Sequence, residues 1–165
     1  MAATGGQAEQ TLQVDWDLVE ERVGSRLPSD YKRLVEQFGK GTFDDGYIDL
    51  PLPDELVTWA RFHADSGVLP WAGNEQEMRL CWITDGADPD VWPVCVMGAG
   101  QLGTGDRFDC TATELIVRML TDPHHPYAVP IDYISPWSAD HTSHWFVPFG
   151  SPYRWESITP RPPGV

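Results

Sequence analysis

Residues 84 to 94 read TDGADPDVWPV, placing Asp85, Asp88 and Asp90 within six positions and a Trp-Pro pair directly after them. Carboxylates at that density are the ligand type for a hard cation such as calcium. An EF-hand loop, however, also needs a central glycine and a bidentate Glu at its twelfth position. Counted from Asp85, that position is Val96, inside an apolar run. Asp, Gly and Pro between two apolar segments are turn chemistry. The expectation is an acidic turn and no metal site.

The other chemistry-bearing residues are scattered. His124 and His125 are adjacent, His141 and His144 form HxxH, and His63 stands alone. A zinc site wants four ligands of fixed type, and no cysteine lies near these histidines. Cys81, Cys95 and Cys110 are widely spaced, form no CxxC pair and sit in apolar surroundings. They read as reduced, buried thiols of a cytoplasmic protein. GAGQLGTG at 98 to 105 lacks the Lys-Ser/Thr of a phosphate loop and opens onto a strand, not a helix. No GxSxG elbow is present. A nucleophile–His–acid triad need not be local in sequence, so an unrecognised hydrolase remains a third reading. No catalytic residue and no cofactor is assigned.

The elements that position these residues follow from periodicity. Asp15 suits the cap of a short helix with Trp16, Val19 and Val23 on one face and Gly24 at its end. In LPSDYKRLVEQFGKGTF, residues 27 to 43, Tyr31, Leu34, Val35 and Phe38 take i, i+3, i+4 and i+7, the stripe of an amphipathic helix. A strand is expected at 47 to 50, a helix from about Asp54 to Ala64, and a short strand at LPWAG. MRLCWIT (78 to 84) and VWPVCVM (91 to 97) read as buried strands joined in a hairpin near Asp88, with Cys81 opposite Cys95. A strand from Arg107 to Asp109 then leads to a helix whose Thr111 and Glu114 have capping-box spacing.

The length fits one domain with a core. A disordered leader is expected over 1 to 13, a core domain over 14 to 120, and an irregular Pro/Trp-rich extension over 121 to 165. The extension holds three tryptophans and four of the five histidines, and WFVPFG within it could add a strand. No apolar run is long enough to span a membrane, and the first ten residues lack the blocks of a secretory signal.

Net charge is −14, from 25 acids against 11 bases. A nucleic-acid binder would normally carry the opposite sign, so direct nucleic-acid binding is not expected. Thirteen of the acids fall between Gly41 and Asp109, against three arginines. Such a block fits either solubility by self-repulsion or a surface for a basic partner.

The order of motifs resembles the SUKH superfamily of Smi/Knr-like proteins. It is carried by Leu27-Pro28-Ser29-Asp30-Tyr31 with Leu34, Phe38-Gly39-Lys40-Gly41, the segment Trp82 to Val94, and the capped helix Thr111 to Leu120, together covering residues 14 to 120. The resemblance implies an α+β fold, a mostly antiparallel sheet flanked by helices. It also implies a bacterial immunity protein that neutralises a toxin domain, often a nuclease; other members are regulatory scaffolds. On the immunity reading a basic toxin partner would meet Asp44, Asp45, Asp49, Asp85, Asp88 and Asp90. Trp71 and Trp92, the tryptophans nearest loops, are the candidate anchors, with core packing as the alternative for each.

Overall fold

The computed structural model describes residues 12–44, 46–74, 76–98, 105–129 and 144–149. Residues 1–11 of the expected leader, Asp45, most of the 98–105 glycine loop, His141 and most of the extension lie outside these residues, whereas Leu12 is placed, packing on the core with its N–H donating to Glu36 O.

The helix α1 spans Trp16–Val23, and the Asp15 carboxylate accepts from Leu18 N–H at its start. Gly24 ends it with φ 82°, a left-handed conformation that costs glycine little. The helix α2 spans Ser29–Phe38 and buries the stripe Tyr31, Leu34, Val35 and Phe38, as the periodicity predicts. The strands β1 (Gly41–Phe43) and β2 (Ile48–Leu50) form a hairpin. The helix α3 runs Pro53–Phe62, with Pro53 at the first turn, where its missing N–H removes no helical bond.

The strands β3 (Val68–Gly73), β4 (Arg79–Ile83), β5 (Val94–Met97) and β6 (Asp106–Phe108) form an antiparallel meander. The helix α4 spans Ala112–Thr121 and starts with the expected capping box: Thr111 Oγ1 accepts from Glu114 N–H, and Glu114 Oε2 accepts from Thr111 N–H. The strand β7 is Phe146–Pro148. Among the described residues the result is α+β: four helices and a seven-stranded antiparallel sheet in the order β6-β5-β4-β3-β2-β1-β7.

Side chains alternate across the sheet. Leu80 and Trp82 of β4, with Val94 and Val96 of β5, join Tyr31, Leu34, Leu56, Leu115 and Ile116 of the helices in the main core. Cys81, Cys95 and Met97 point to the other face and form a separate small cluster. Trp71 sits where the β3–β4 register shifts between Pro70 and Ala72. It is fully buried, stacked on Trp82 and edge-on to Tyr31.

Two expectations are corrected. The core domain does not close at residue 120: the strand that WFVPFG could add is β7, which pairs with β1 through Gly41↔Pro148, Thr42↔Val147 and Phe43↔Phe146, and Val129 is fully buried. The reason is the ring of Phe146, which fills a gap beside Phe38 and Phe43 at centroid distances of 5.0 and 4.8 Å. The second correction concerns the segment 91 to 97. Its first three residues belong to the turn, and the strand begins at Val94.

Candidate binding surface

The hairpin loop between β4 and β5 contains a single 3-10 turn, Pro89–Val91, capped by Asp88. The Asp88 carboxylate accepts from Asp90 N–H at 3.1 Å. The fixed φ of Pro89 pre-sets the first turn residue. Asp90 reaches back 61 positions and accepts from Ser29 N–H at 2.6 Å. That hydrogen bond, chiefly, holds the Asp90 carboxyl below its ordinary pKa, with the Ser29 hydroxyl and then Arg26 and Arg33 adding to the effect. The Trp92 indole N–H donates to Gly86 O at 3.0 Å, closing the loop from its other side. Asp85, Asp88 and Asp90 are all exposed, so this turn presents three carboxylates on a braced backbone.

Val91, next to Asp90 in this turn, is 71% exposed, a bare apolar side chain on an acidic loop. Behind it runs a groove of about 270 Å³, walled by the Asp90–Pro93 segment on one side and by Arg107, Asp109 and the α4 entrance on the other. Asp90, Asp109 and Glu114 supply three carboxylates to the lining against the one guanidinium of Arg107. Arg107 is itself paired with Asp109 at 3.0 Å. Asp30 ties this end of the molecule together by accepting from Thr113 N–H at 2.9 Å. Burial pushes the half-buried Cys110 thiol up, which keeps it protonated and unreactive.

The expected acids and anchors do not all share this surface. Asp44 is fully buried, with a left-handed φ of 46°. Its Oδ2 lies 2.7 Å from His144 Nδ1, its Oδ1 accepts from Trp145 N–H, and its own N–H donates to Trp145 O. It clamps the entry to β7 and is not a surface charge. Asp49 is half-buried in a second groove, also of about 270 Å³, where Lys40 and Arg79 offset Asp49 and Glu55. Trp71 lies in the core. Trp92 is 6% exposed and braces the turn from within. Neither tryptophan is an accessible anchor, because each ring is already spent on internal packing.

Sequence alone assigns no binding role to Val91, Asp109 or Glu114. The signal for Val91 was present: Asp-Pro is the cap and first residue of a helical turn, which takes Val91 out of the strand. Among the described residues, no group of three or more His, Cys, Asp and Glu side chains is placed to share a metal ion, and no helix is long and apolar enough to cross a membrane. Compared with protein-family models, curated proteins and solved structures, this chain matches none.

Proposed function

We propose that this chain is a non-catalytic binding protein for a basic protein partner, of the immunity type that neutralises a toxin domain in the bacterial cytoplasm. The observation that carries the reading is the braced turn itself. Asp90 and the exposed Val91 stand at the lip of a groove that Asp109 and Glu114 also line, and Asp85 and Asp88 are exposed on the same loop. Like charges packed together on a rigid loop repel one another, a cost that a cationic partner relieves. Complementary charge speeds encounter and fixes orientation, while an apolar point at the centre excludes water and slows release. The net charge of −14 extends the attraction beyond the contact itself. The motif order shared with SUKH proteins supports the same reading.

The test uses the full chain and the basic domain encoded beside it in the genome. The two should co-elute in size-exclusion chromatography at 0.1 M salt and separate increasingly towards 1 M, as the Debye length falls from about 10 Å to about 3 Å. The chain should also suppress the domain's activity one to one. A complex indifferent to salt, or no complex with any basic neighbour, contradicts the proposal.

A further inference from the structure

Cys81 and Cys95 take no part in the surface above. They face each other across β4 and β5 in direct register, on the sheet face turned away from the main core. The kind of pair they form can be deduced. Ile83 N–H donates to Pro93 O at 2.8 Å, and hydrogen-bonded pairs recur at every second position of an antiparallel ladder. Cys81 and Cys95 stand two positions further along, so theirs is a hydrogen-bonded pair.

Such residues have Cα atoms about 5.5 Å apart, inside the range of about 4.4 to 6.8 Å that disulfides span. Their Cβ atoms stand near the wide end of about 4.5 to 5.5 Å, where a disulfide prefers about 3.5 to 4.5 Å. A bond can therefore close after an approach of about 1 Å and would retain strain, the mark of a readily reduced disulfide. The thiols already interact. The hydrogen bond between them pushes Cys81 up, with burial adding to it, and the same bond holds Cys95 below its ordinary range. The two residues also bracket the loop that carries Asp85, Asp88 and Asp90.

We propose that Cys81 and Cys95 are a modification site: a reversible cross-strand disulfide, formed by hydrogen peroxide, that staples the base of the acidic hairpin. The Cys95 thiolate attacks one peroxide oxygen and takes a proton, giving a sulfenic acid and releasing water. The Cys81 sulfur then attacks the sulfenic sulfur, its proton leaving with the hydroxyl as a second water. Two thiols and one peroxide become one disulfide and two waters. Both residues are buried, at 0% and 2% exposure, so a small oxidant such as peroxide reaches them through local opening of the sheet, and a bulky disulfide needs a larger opening. Cys110 packs against the main core, apart from this cluster, and serves as the internal control. The effect on binding rests on the function proposed above; the sulfur chemistry does not.

The experiment treats the folded full chain with peroxide, blocks the remaining thiols by alkylation under denaturing conditions, and maps peptides by mass spectrometry. Wild type and Cys110→Ala should give a linked peptide pair containing Cys81 and Cys95, two hydrogens lighter than the reduced pair and restored by dithiothreitol. Cys81→Ala and Cys95→Ala should each stop at an oxidised remaining cysteine without a link, and each should react several-fold more slowly than wild type, because the hydrogen bond that lowers the Cys95 thiol is lost in both. Amide exchange over residues 82 to 94 should slow on oxidation of wild type and stay unchanged in Cys81→Ala. Three thiols still alkylated after peroxide would overturn the proposal. So would a link through Cys110, or an unlinked Cys95 in wild type. Because no partner is present, failure here leaves the binding function untouched, and failure of binding leaves this chemistry untouched.

Discussion

Replacing Phe146 by Ala tests whether β7 is an integral strand. The ring is 3% exposed and packs on Phe38 and Phe43 at 5.0 and 4.8 Å. A buried Phe→Ala change costs about 3 to 5 kcal/mol. Lost ring pairs contribute about 0.5 to 1.5 kcal/mol each, beyond area burial, to what the change removes. The site is a three-residue edge strand, which can collapse more readily than a central one, so the lower half of the range applies. We expect about 3 kcal/mol. In urea, with a slope of about 1.5 to 2 kcal/mol/M, that lowers the midpoint by roughly 1.5 to 2 M. Phe149→Ala, at a side chain 47% exposed, should stay within about 0.5 kcal/mol of wild type. A Phe146→Ala cost below about 1 kcal/mol would refute the packing described for this edge.

Removing residues 122 to 165 should abolish cooperative unfolding, because it strips β7, the buried Val129 and the partners of Asp44; a soluble, cooperatively melting product would contradict this. Thr111→Ala should cost about 1 kcal/mol through loss of the α4 cap, seen as a drop of about 2 to 4 °C in Tm. Acid should destabilise the protein through His125, whose ring nitrogen Nδ1 accepts from Tyr127 N–H and whose pKa burial lowers from its ordinary 6.5. The neutral ring's contribution is complete above 6.5 and is lost as pH falls through the lower folded value; His125→Asn should flatten that part of the stability profile. Burial, then the hydrogen bond to Asp106, raises the Tyr127 phenol to about 12, so its ultraviolet titration should end later than that of an ordinary tyrosine.

Much of the architecture is legible because it is local. The α2 stripe, the Thr111–Glu114 box and the Cys81–Cys95 register each depend on residues a few positions apart, or on a turn of readable type. What stayed hidden is non-local. Asp44 reads as a surface acid until His144, one hundred positions later, folds back onto it. WFVPFG reads as a strand that could be added, but its place beside β1 does not show, because the gap that Phe146 fills exists only once Phe38 and Phe43 are side by side. The burial of Trp71 depends on a bulge whose signal, Pro70, is easily taken for a strand end. The acidic turn was legible as a turn. Its brace to Ser29 and the outward projection of Val91 were not, since both depend on how α2 lies against the hairpin.

The binding function is tested most directly by association kinetics with the neighbouring basic domain. Wild type would be compared with the triple variant Asp85→Asn/Asp88→Asn/Asp90→Asn and with Val91→Ala, each first checked for fold by circular dichroism. At 0.1 M salt the triple variant should associate about tenfold more slowly, with its dissociation rate changed by less than about threefold. Val91→Ala removes two carbons' worth of burial, about 1.6 kcal/mol at about 0.8 each, and should speed dissociation about tenfold with little change in association. An association rate that ignores both salt and the three aspartates would contradict the account and leave the acidity of this turn without a role in recognition.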